Sequence, residues 1–383
     1  MGQPDAVGQI SALAKVHWFL PTGGDSRDVL PDEPGAHWRP PSMDYLSQVA
    51  TACDQLGYEG MLTPCGTMCE DAWLSTIALV PVTKRIKFLV AFRPGFLSPT
   101  LAAQMASTYQ RLSGGRLLIN IVTGAEPREL NRFGDWLDKD TRYARTGEFL
   151  RIVREAWSGE PHDFEGEFYK VAAATTREVP DPLPAIYFGG ASPAAESIAA
   201  EHVDVYLAWG EPPDMVTERL ERMRARAAEH GRTLRFGIRF HVITRPDAAD
   251  AWAVADDMLA HMSPEAIAAA QADFSTTMSE GQRRMAQLHA EGTGRLEIHP
   301  NVWSGIGLVR GGAGTALVGS YSEVADRIAE YQELGFDEFI LSGYPHLEEA
   351  YWFGEGVMPI LRERGLLEPL AHGSDDALVS SFR

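Results

Sequence analysis

Arg235-Phe236-Gly237-Ile238-Arg239-Phe240-His241-Val242-Ile243 is the stretch on which the reading of this chain turns. Its composition is that of a β-strand, and along a strand residues two apart share a face. Arg239 and His241 therefore point the same way, and Phe240 and Val242 fill the opposite face. Two cationic or potentially cationic groups on an apolar strand are costly to bury without a partner. The segment is thus either an edge strand whose polar face meets water or a core strand whose end holds an anion.

Outward from this strand the chain alternates short apolar runs with helical segments. Strands are expected at 16–20, 60–63, 87–92, 116–122, 185–188 and 203–208, then the opening stretch as the seventh, then 336–341. Helices are expected between them. One is capped by Ser42 and ends at Gly57. Others run to about Val82, from Pro99, over about 141–157, after Pro193, from Pro213 to about Gly231, over about 247–261, from a Ser322 cap to Leu334, and to about Arg364. A small hairpin is expected at 163–171, turning at Glu165-Gly166. Eight strands alternating with helices is the count of an α/β (β/α)8 TIM barrel with insertions. Their continuous apolar runs suit strands covered on both faces. A doubly wound parallel sheet is the alternative architecture. The expected organisation is one barrel domain over 1–383, with a helical insertion at 263–300, a mobile glycine-rich loop at 305–319 and a loose polar tail at 368–383.

The 383 residues are 45% hydrophobic and 23% charged, ordinary for a globular protein with a large core. The formal net charge of -19 and a pI near 5.0 argue against a nucleic-acid or anionic-membrane surface. They leave a small anionic ligand open, because a few local arginines outweigh a distant acidic field at contact range. No apolar run approaches a membrane span, the start shows no secretory signal, and Met1-Gly2 is a poor myristoylation match. Three cysteines, Cys53, Cys65 and Cys69, suggest a reducing compartment, with the cytoplasm as the expectation.

In a barrel, chemistry gathers where strands end in loops on the C-terminal face. The residues there are Cys65 and Cys69, Asn120 and Thr123, Gly189-Gly190-Ala191-Ser192, Trp209, Arg239 and His241, and Tyr344 and His346. The Gly-Gly-Ala-Ser turn, between a strand and a helix, suits a phosphate, or it simply ends the strand tightly. Arg239 with His241 suits a tetrahedral oxyanion, although His241 could be a core histidine with a backbone partner. Arg310 lies within Gly305-Ile306-Gly307-Leu308-Val309-Arg310-Gly311-Gly312-Ala313-Gly314, where it could close over an anion or be a solvated loop cation. Two loop cysteines are too few for zinc, so no metal site is read here. A cysteine hydrolase using His241 as its base, and a binding protein for anionic metabolites, are the other functional classes.

Several motifs together carry a resemblance. They are Trp18-Phe19-Leu20-Pro21-Thr22, Cys69-Glu70-Asp71-Ala72-Trp73, Asn120-Ile121-Val122-Thr123-Gly124, Tyr187-Phe188-Gly189-Gly190, Trp209-Gly210-Glu211-Pro212-Pro213 and Phe236-Gly237-Ile238-Arg239. To these are added the run from Gly307 through Gly319 and Leu341-Ser342-Gly343-Tyr344-Pro345-His346. From about Trp18 to Leu361 the chain resembles the FMNH2-dependent alkanesulfonate monooxygenases of the bacterial-luciferase-like superfamily, with the sulfoquinovose monooxygenases as a sister group. The resemblance implies a two-component system in which an NAD(P)H-dependent FMN reductase supplies FMNH2. The monooxygenase would use it with O2 to split a C–S bond, releasing sulfite and a carbonyl product, and would form a homodimer or homotetramer. By position it implies Trp209, Arg239, His241, Arg310, Tyr344 and His346 around the sulfonate. Arg239, His241, Tyr344, Arg310 and Cys69 would be the reaction's working groups. Asn120 and Thr123 would face the flavin ring, and Tyr143, Gly190, Ala191 and Ser192 its phosphate. Two departures point toward a bulkier or hydroxylated sulfonate. Gly23 stands where such enzymes carry a histidine, ahead of an altered 26–41 loop bearing His37, Trp38 and Arg39. The segment after the second strand also lacks the usual basic residue.

Overall fold

The computed structural model describes residues 13–29, 37–124, 126–277, 279–291 and 296–370. In chain order the first half runs β1 (Lys15–Phe19), α1 (Met43–Leu56), β2 (Gly60–Thr63), α2 (Ala72–Leu79), β3 (Lys87–Phe92), α3 (Pro99–Ser113), β4 (Leu117–Ile121), α4 (Pro127–Arg132), α5 (Lys139–Ala156), β5 (His162–Glu165), β6 (Lys170–Ala174), β7 (Ile186–Gly189) and α6 (Pro193–His202). The second half runs β8 (Val205–Trp209), α7 (Pro213–Glu229), β9 (Arg235–Arg245), α8 (Ala248–Ala260), α9 (Pro264–Ser275), α10 (Glu280–Glu291), β10 (Glu297–His299), β11 (Val302–Trp303), β12 (Ala316–Ser320), α11 (Tyr321–Leu334), β13 (Glu338–Ser342) and α12 (His346–Glu363).

Eight parallel strands close on themselves in the order β1-β2-β3-β4-β7-β8-β9-β13, with β13 returning to β1. These are the eight strands expected, so the barrel holds and the doubly wound sheet falls. The strands are buried along nearly their whole length, β9 for nine consecutive residues, because helices cover the outside and side chains fill the inside. β5 and β6 form the expected hairpin. No helix among the described residues is long and apolar enough to cross a membrane.

Local signals explain most boundaries. The Ser42 hydroxyl accepts the Tyr45 N–H, and α1 ends at Gly57, whose N–H reaches the Cys53 carbonyl. Asp71 caps α2 by accepting the Leu74 N–H. The expected Ser322 cap is corrected: α11 starts two residues earlier, because Ser320 and Glu323 form a capping box and Ser322 lies inside its first turn. The 263–300 insertion is two helices and a short strand. Ser263, followed by Pro264, caps α9, and the Ser279 hydroxyl accepts the Gln282 N–H at the start of α10, so the helical run is divided.

Three strands, β10, β11 and β12, were not foreseen. Within 305–319, expected as a mobile loop, Gly305–Leu308 is a 310 turn and Ala316–Ser320 is β12. β9 is longer than its neighbours. β8 leaves it where the Gly210 N–H meets the Arg239 carbonyl, and two residues on the His241 N–H meets the Thr315 carbonyl. From there β12 runs parallel to β9 as far as Arg245, extended by antiparallel β11 and β10. Ile243, Ala316, Val318, Trp303 and Ile306 pack with Ala251, Ala255 and Met258 of α8 into a second core beyond the barrel rim. The polar tail expected at 368–383 lies outside the described residues beyond 370.

Candidate active site

A cavity of about 380 Å³ opens at the C-terminal end of the barrel, within the range of small-molecule sites. Its floor is the end of β9. Arg239 is buried, its guanidinium 4.9 Å from the centre of the Phe19 ring. It donates to the Ser342 hydroxyl at 3.0 Å and to the carbonyls of Phe240 and Ile340 at 3.2 and 3.5 Å. Among the described residues no carboxylate comes within salt-bridge range of it. Burial, aided by the like charge of Arg310, pulls its pKa down to about 9, against a weak opposing effect of Tyr344. Buried guanidinium groups normally sit against a carboxylate. Here the place of a counter-ion is open to a ligand.

His241 lies two residues on, with its ring also buried. Ser342 Oγ stands 2.8 Å from Nδ1, and the Ala313 carbonyl stands 3.1 Å from Nε2. Because that carbonyl can only accept, the proton is on Nε2, Nδ1 accepts from the serine, and the serine accepts from Arg239. Burial, then the charges of Arg310 and Arg239, keep His241 well below its ordinary pKa, so it is neutral. The core-histidine reading is therefore half right, since one of its partners is backbone. Tyr344 stacks on His241 at 5.5 Å between ring centres and 19° between planes.

Arg310 reaches in from the segment before β12, its guanidinium 6.0 Å from the centre of the Phe19 ring that also lies under Arg239. The insertion holds this segment. Gln271 of α9 donates to the Gly307 and Leu308 carbonyls at 3.2 and 2.7 Å, and Gln282 of α10 accepts the Gly312 N–H at 2.8 Å. Arg284 of α10 ties the insertion to the barrel through Glu211 Oε1 and Oε2 at 2.9 and 2.6 Å.

Trp209 lines the cavity, as do Asn120, Thr123, Tyr143, Gly190, Ala191 and Ser192. Ser192 caps α6 by accepting the Ala195 N–H at 3.4 Å, and Pro193 begins that helix. A helix start, a glycine-containing turn and Lys139 thus line the same cavity as the two arginines. The helix's first N–H groups and positive dipole end suit a phosphate, and the apolar stretch between (Leu62, Ile121, Leu207) suits a flat ring. These residues fit a flavin mononucleotide.

His241, Tyr344, His346 and Cys69 are not among the lining residues; His241 and Tyr344 lie behind Arg239. His346 turns to Asp25, Nδ1 to Oδ1 at 2.9 Å, with its ring 5.3 Å from Tyr344 and 5.4 Å from Phe19. Cys69 lies beside Gly23. Burial raises the Cys69 thiol against the lowering effect of the Thr22 hydroxyl, and burial pushes Cys65 up to about 11. Neither is prepared as a thiolate, so the cysteine hydrolase loses its nucleophile. A side chain at position 23 would begin 3.1 Å from the Met68 carbonyl, and the Trp38 ring lies where a side chain on Gly24 would stand, so Trp38 fills part of the room that the glycines leave.

Three contributors escaped the sequence reading. Phe19 looks like any apolar strand residue. Ser342 links the arginine to the histidine, and its register opposite His241 on the neighbouring strand was the available signal. Arg93, paired with Glu129 and held near the rings of Phe96 and Phe133, brings a buried positive charge close to Cys65 and Cys69, where the second strand's own loop has none.

A family model described as luciferase-like monooxygenase matches residues 14–338. The barrel superposes on a long-chain alkane monooxygenase with a TM-score of 0.77 at 18% identity, covering 94% of each chain. It superposes on the EDTA monooxygenase from Chelativorans sp. BNC1 with a TM-score of 0.75 at 20% identity, covering 93% of this chain and 95% of that one. An F420-dependent secondary alcohol dehydrogenase shares the fold with a TM-score of 0.66 at 17% identity, over 91% and 99% of the two chains.

Proposed function

This chain belongs to the luciferase-like monooxygenase family, and on that premise we propose that it is a two-component, FMNH2- and O2-dependent organosulfonate monooxygenase. It takes reduced FMN from a separate NAD(P)H-dependent reductase and cleaves a C–S bond to give sulfite and a carbonyl compound. The observation that carries this reading is the buried, carboxylate-free guanidinium of Arg239, with Arg310 over the same ring. A binding site of this kind selects an anion, and two guanidinium groups match the three equivalent oxygens of a sulfonate.

Arg239 and Arg310 hold the sulfonate, with Trp209 packing against the carbon next to it. Neutral His241 adds no charge, so the net positive field at the anion comes from the two arginines, and its hydrogen bonds with Ser342 and Ala313 fix the angle of Arg239. Tyr344 closes the same wall. Cys69, protonated, positions neighbouring groups. Arg310, on the segment that α9 and α10 hold, covers the site against water. Asn120 and Thr123 would face the flavin ring, and Tyr143, Gly190, Ala191 and Ser192 its phosphate. Reduced flavin, when bound, supplies the electrons that activate O2.

Linear alkanesulfonates and sulfosugars such as sulfoquinovose both satisfy the anion site. Gly23 and the altered loop after it, whose Trp38 packs against Gly24, are the features that favour the sulfosugar. The test is sulfite release with NADPH, an FMN reductase, FMN and air, across linear sulfonates and sulfoquinovose. Release that is undiminished without flavin or without O2 would sink the reading, and so would activity supported by F420 but not FMN.

A further inference from the structure

Asp25 lies just past β1, behind the wall formed by Phe19 and Tyr344. Its carboxylate is fully engaged. Oδ1 accepts the Ser26 N–H at 2.8 Å and faces His346 Nδ1 at 2.9 Å, while Oδ2 accepts the His346 N–H at 2.8 Å and the Tyr45 phenol. Burial, the largest influence, would raise its pKa, but the bonds from His346 and Tyr45 outweigh it and hold the group ionised. An ionised carboxylate only accepts, so the proton between Asp25 and His346 is on Nδ1.

The rest of the histidine is held too. Its carbonyl accepts the Trp18 indole N–H at 3.0 Å, and its ring sits between Phe19 and Tyr344. With Nδ1–H donated to Asp25, Nε2 is the ring nitrogen left over, and among the described residues no hydrogen bond reaches it. The contrast with His241 is sharp, because both nitrogens of His241 are occupied. Of the two histidines against Tyr344, one has an open acceptor nitrogen. Beyond Asp25 the polar chain continues outward. Arg39 donates to the Tyr45 hydroxyl at 3.3 Å and to the half-exposed Glu348 at 2.7 Å.

We propose that Asp25 is a positioning residue of this site: it locks His346 as the Nδ1–H tautomer and so makes Nε2 the proton acceptor behind Tyr344. The role of the acceptor rests on the function proposed above. Conversion of R–CH2–SO3− with FMNH2 and O2 into R–CHO, SO3 dianion, FMN and water releases one proton, from the carbon that becomes the carbonyl. We assign its reception to Nε2 of His346, whose ring centre lies 5.3 Å from that of Tyr344. The imidazolium is balanced by Asp25 and returns the proton to solvent. Carboxylate–histidine pairs are the recurrent way of fixing a ring nitrogen's role, and breaking one typically costs 10- to 100-fold in activity.

The test has two arms. In the first, 15N NMR of the protein alone, with His346 assigned by loss of its signals in His346→Gln, is expected to show Nδ1 protonated throughout and Nε2 as the nitrogen that gains and loses the titrating proton. Asp25→Asn must present its amide N–H either to Nδ1 or to a backbone N–H, and it is expected to remove that tautomer preference. Tyr45→Phe, which removes a bond from Asp25 without touching Nδ1, keeps it. A bare Nδ1 in the wild type, or an unchanged tautomer in Asp25→Asn, overturns the proposal. In the second arm, Asp25→Asn and His346→Gln each lower kcat 10- to 100-fold with flavin affinity unchanged, and the double variant is no worse than the weaker single. Additive losses, or a loss of flavin affinity with thermal unfolding lowered in step, would show Asp25 acting as a structural group. If the wild type releases no sulfite from any sulfonate, the functional reading fails, while the NMR arm still decides the tautomer.

Discussion

β9 carries two arginines four residues apart on one face, and the protein treats them oppositely. Arg235, at the N-terminal end of the barrel, binds Asp337 at 2.9 Å and also Glu338. Burial would lower its pKa, but the two carboxylates outweigh it and raise it. Glu338 is itself saturated, by His17 at 2.6 Å and the Tyr187 hydroxyl at 2.7 Å besides the arginine. Arg239 is more deeply buried and has no carboxylate, and burial takes its pKa down to about 9. The fold plainly can supply counter-ions to a buried guanidinium on this strand. It does so for Arg235 and again at the far end of the strand, where Arg245 meets Glu349 at 2.6 Å, and it supplies none to Arg239 between them, at the rim of the cavity. On the proposed function, the sulfonate of the substrate supplies the counter-charge that Arg239 lacks.

The largest expected effect separates the two arginines outright. Arg239→Met should lower sulfite release about 1,000-fold or more, the scale of losing a charged donor to the reacting anion. It should also raise stability by about 1–4 kcal/mol in urea unfolding, because a buried charge without a partner is replaced by an apolar side chain of similar length. Arg235→Met should do the reverse, costing about 3–5 kcal/mol by leaving Glu338 short of its partner, with kcat nearly unchanged. If Arg239→Met is destabilised like Arg235→Met, the two arginines do not differ in the way argued here.

A smaller effect comes from making the two arginines alike. Ser342→Asp would place a carboxylate where the serine hydroxyl now meets Arg239 at 3.0 Å. An internal counter-ion competes with the ligand, so KM for the sulfonate should rise about 100-fold while flavin affinity holds, the scale of losing one charge-assisted contact. An unchanged KM would mean that Arg239 does not hold the anion.

Titration should give a weaker, graded version of the same change. Arg239 binds an anion only when protonated, and in the free protein it loses its proton near pH 9. The KM for a sulfonate should be flat below about pH 9 and rise about tenfold per unit above it. Stability follows the opposite sign. The folded pKa lies below the ordinary guanidinium value, so the charged group costs stability below about pH 9, and that cost fades as pH rises further. Arg239→Met should abolish both dependences.

The fold and the anomaly at Arg239 could be read from the sequence, but the counter-ions of Arg235 could not. Most of the eight barrel strands are continuous apolar runs cut off by glycine, proline or a polar residue, and a barrel's topology follows from their alternation with helices. Arg239, His241 and Arg310 were legible because charge in an apolar strand or a glycine-rich loop is locally anomalous. β12 was not, because Ala316-Leu317-Val318-Gly319-Ser320 continues a glycine-rich run, and its partner on β9 is recognisable only once β8 is seen to let go at Gly210. Phe19 and Ser342 were invisible for a related reason. Their contribution is a position in space relative to residues more than 100 apart in the chain, and nothing in their own neighbourhood is unusual. The direction of His346 depended in the same way on Asp25, which is distant in sequence.

The smallest effect concerns the opposite wall. Gly281 sits inside α10, where glycine costs about 1 kcal/mol relative to alanine. A Cβ there would stand 2.9 Å from the six-membered ring of Trp209, closer than real contacts allow. The insertion therefore leans on the indole because this helix position has no side chain. Gly281→Ala sets two terms against each other, a gain in helix propensity and a forced shift of a large planar ring that lines the cavity. The indole is held at the end of β8, whose last residues pair with β9 beside Arg239, so the ring rather than the strand must give. We expect stability within about 1 kcal/mol of the wild type and KM for the sulfonate raised about three- to tenfold, equivalent to the loss of one modest apolar contact, with Arg239's pH dependence intact. That pattern would locate Trp209 on the substrate's apolar side and leave the charge to β9. A change in the pH dependence instead would mean that the two walls act on the same group.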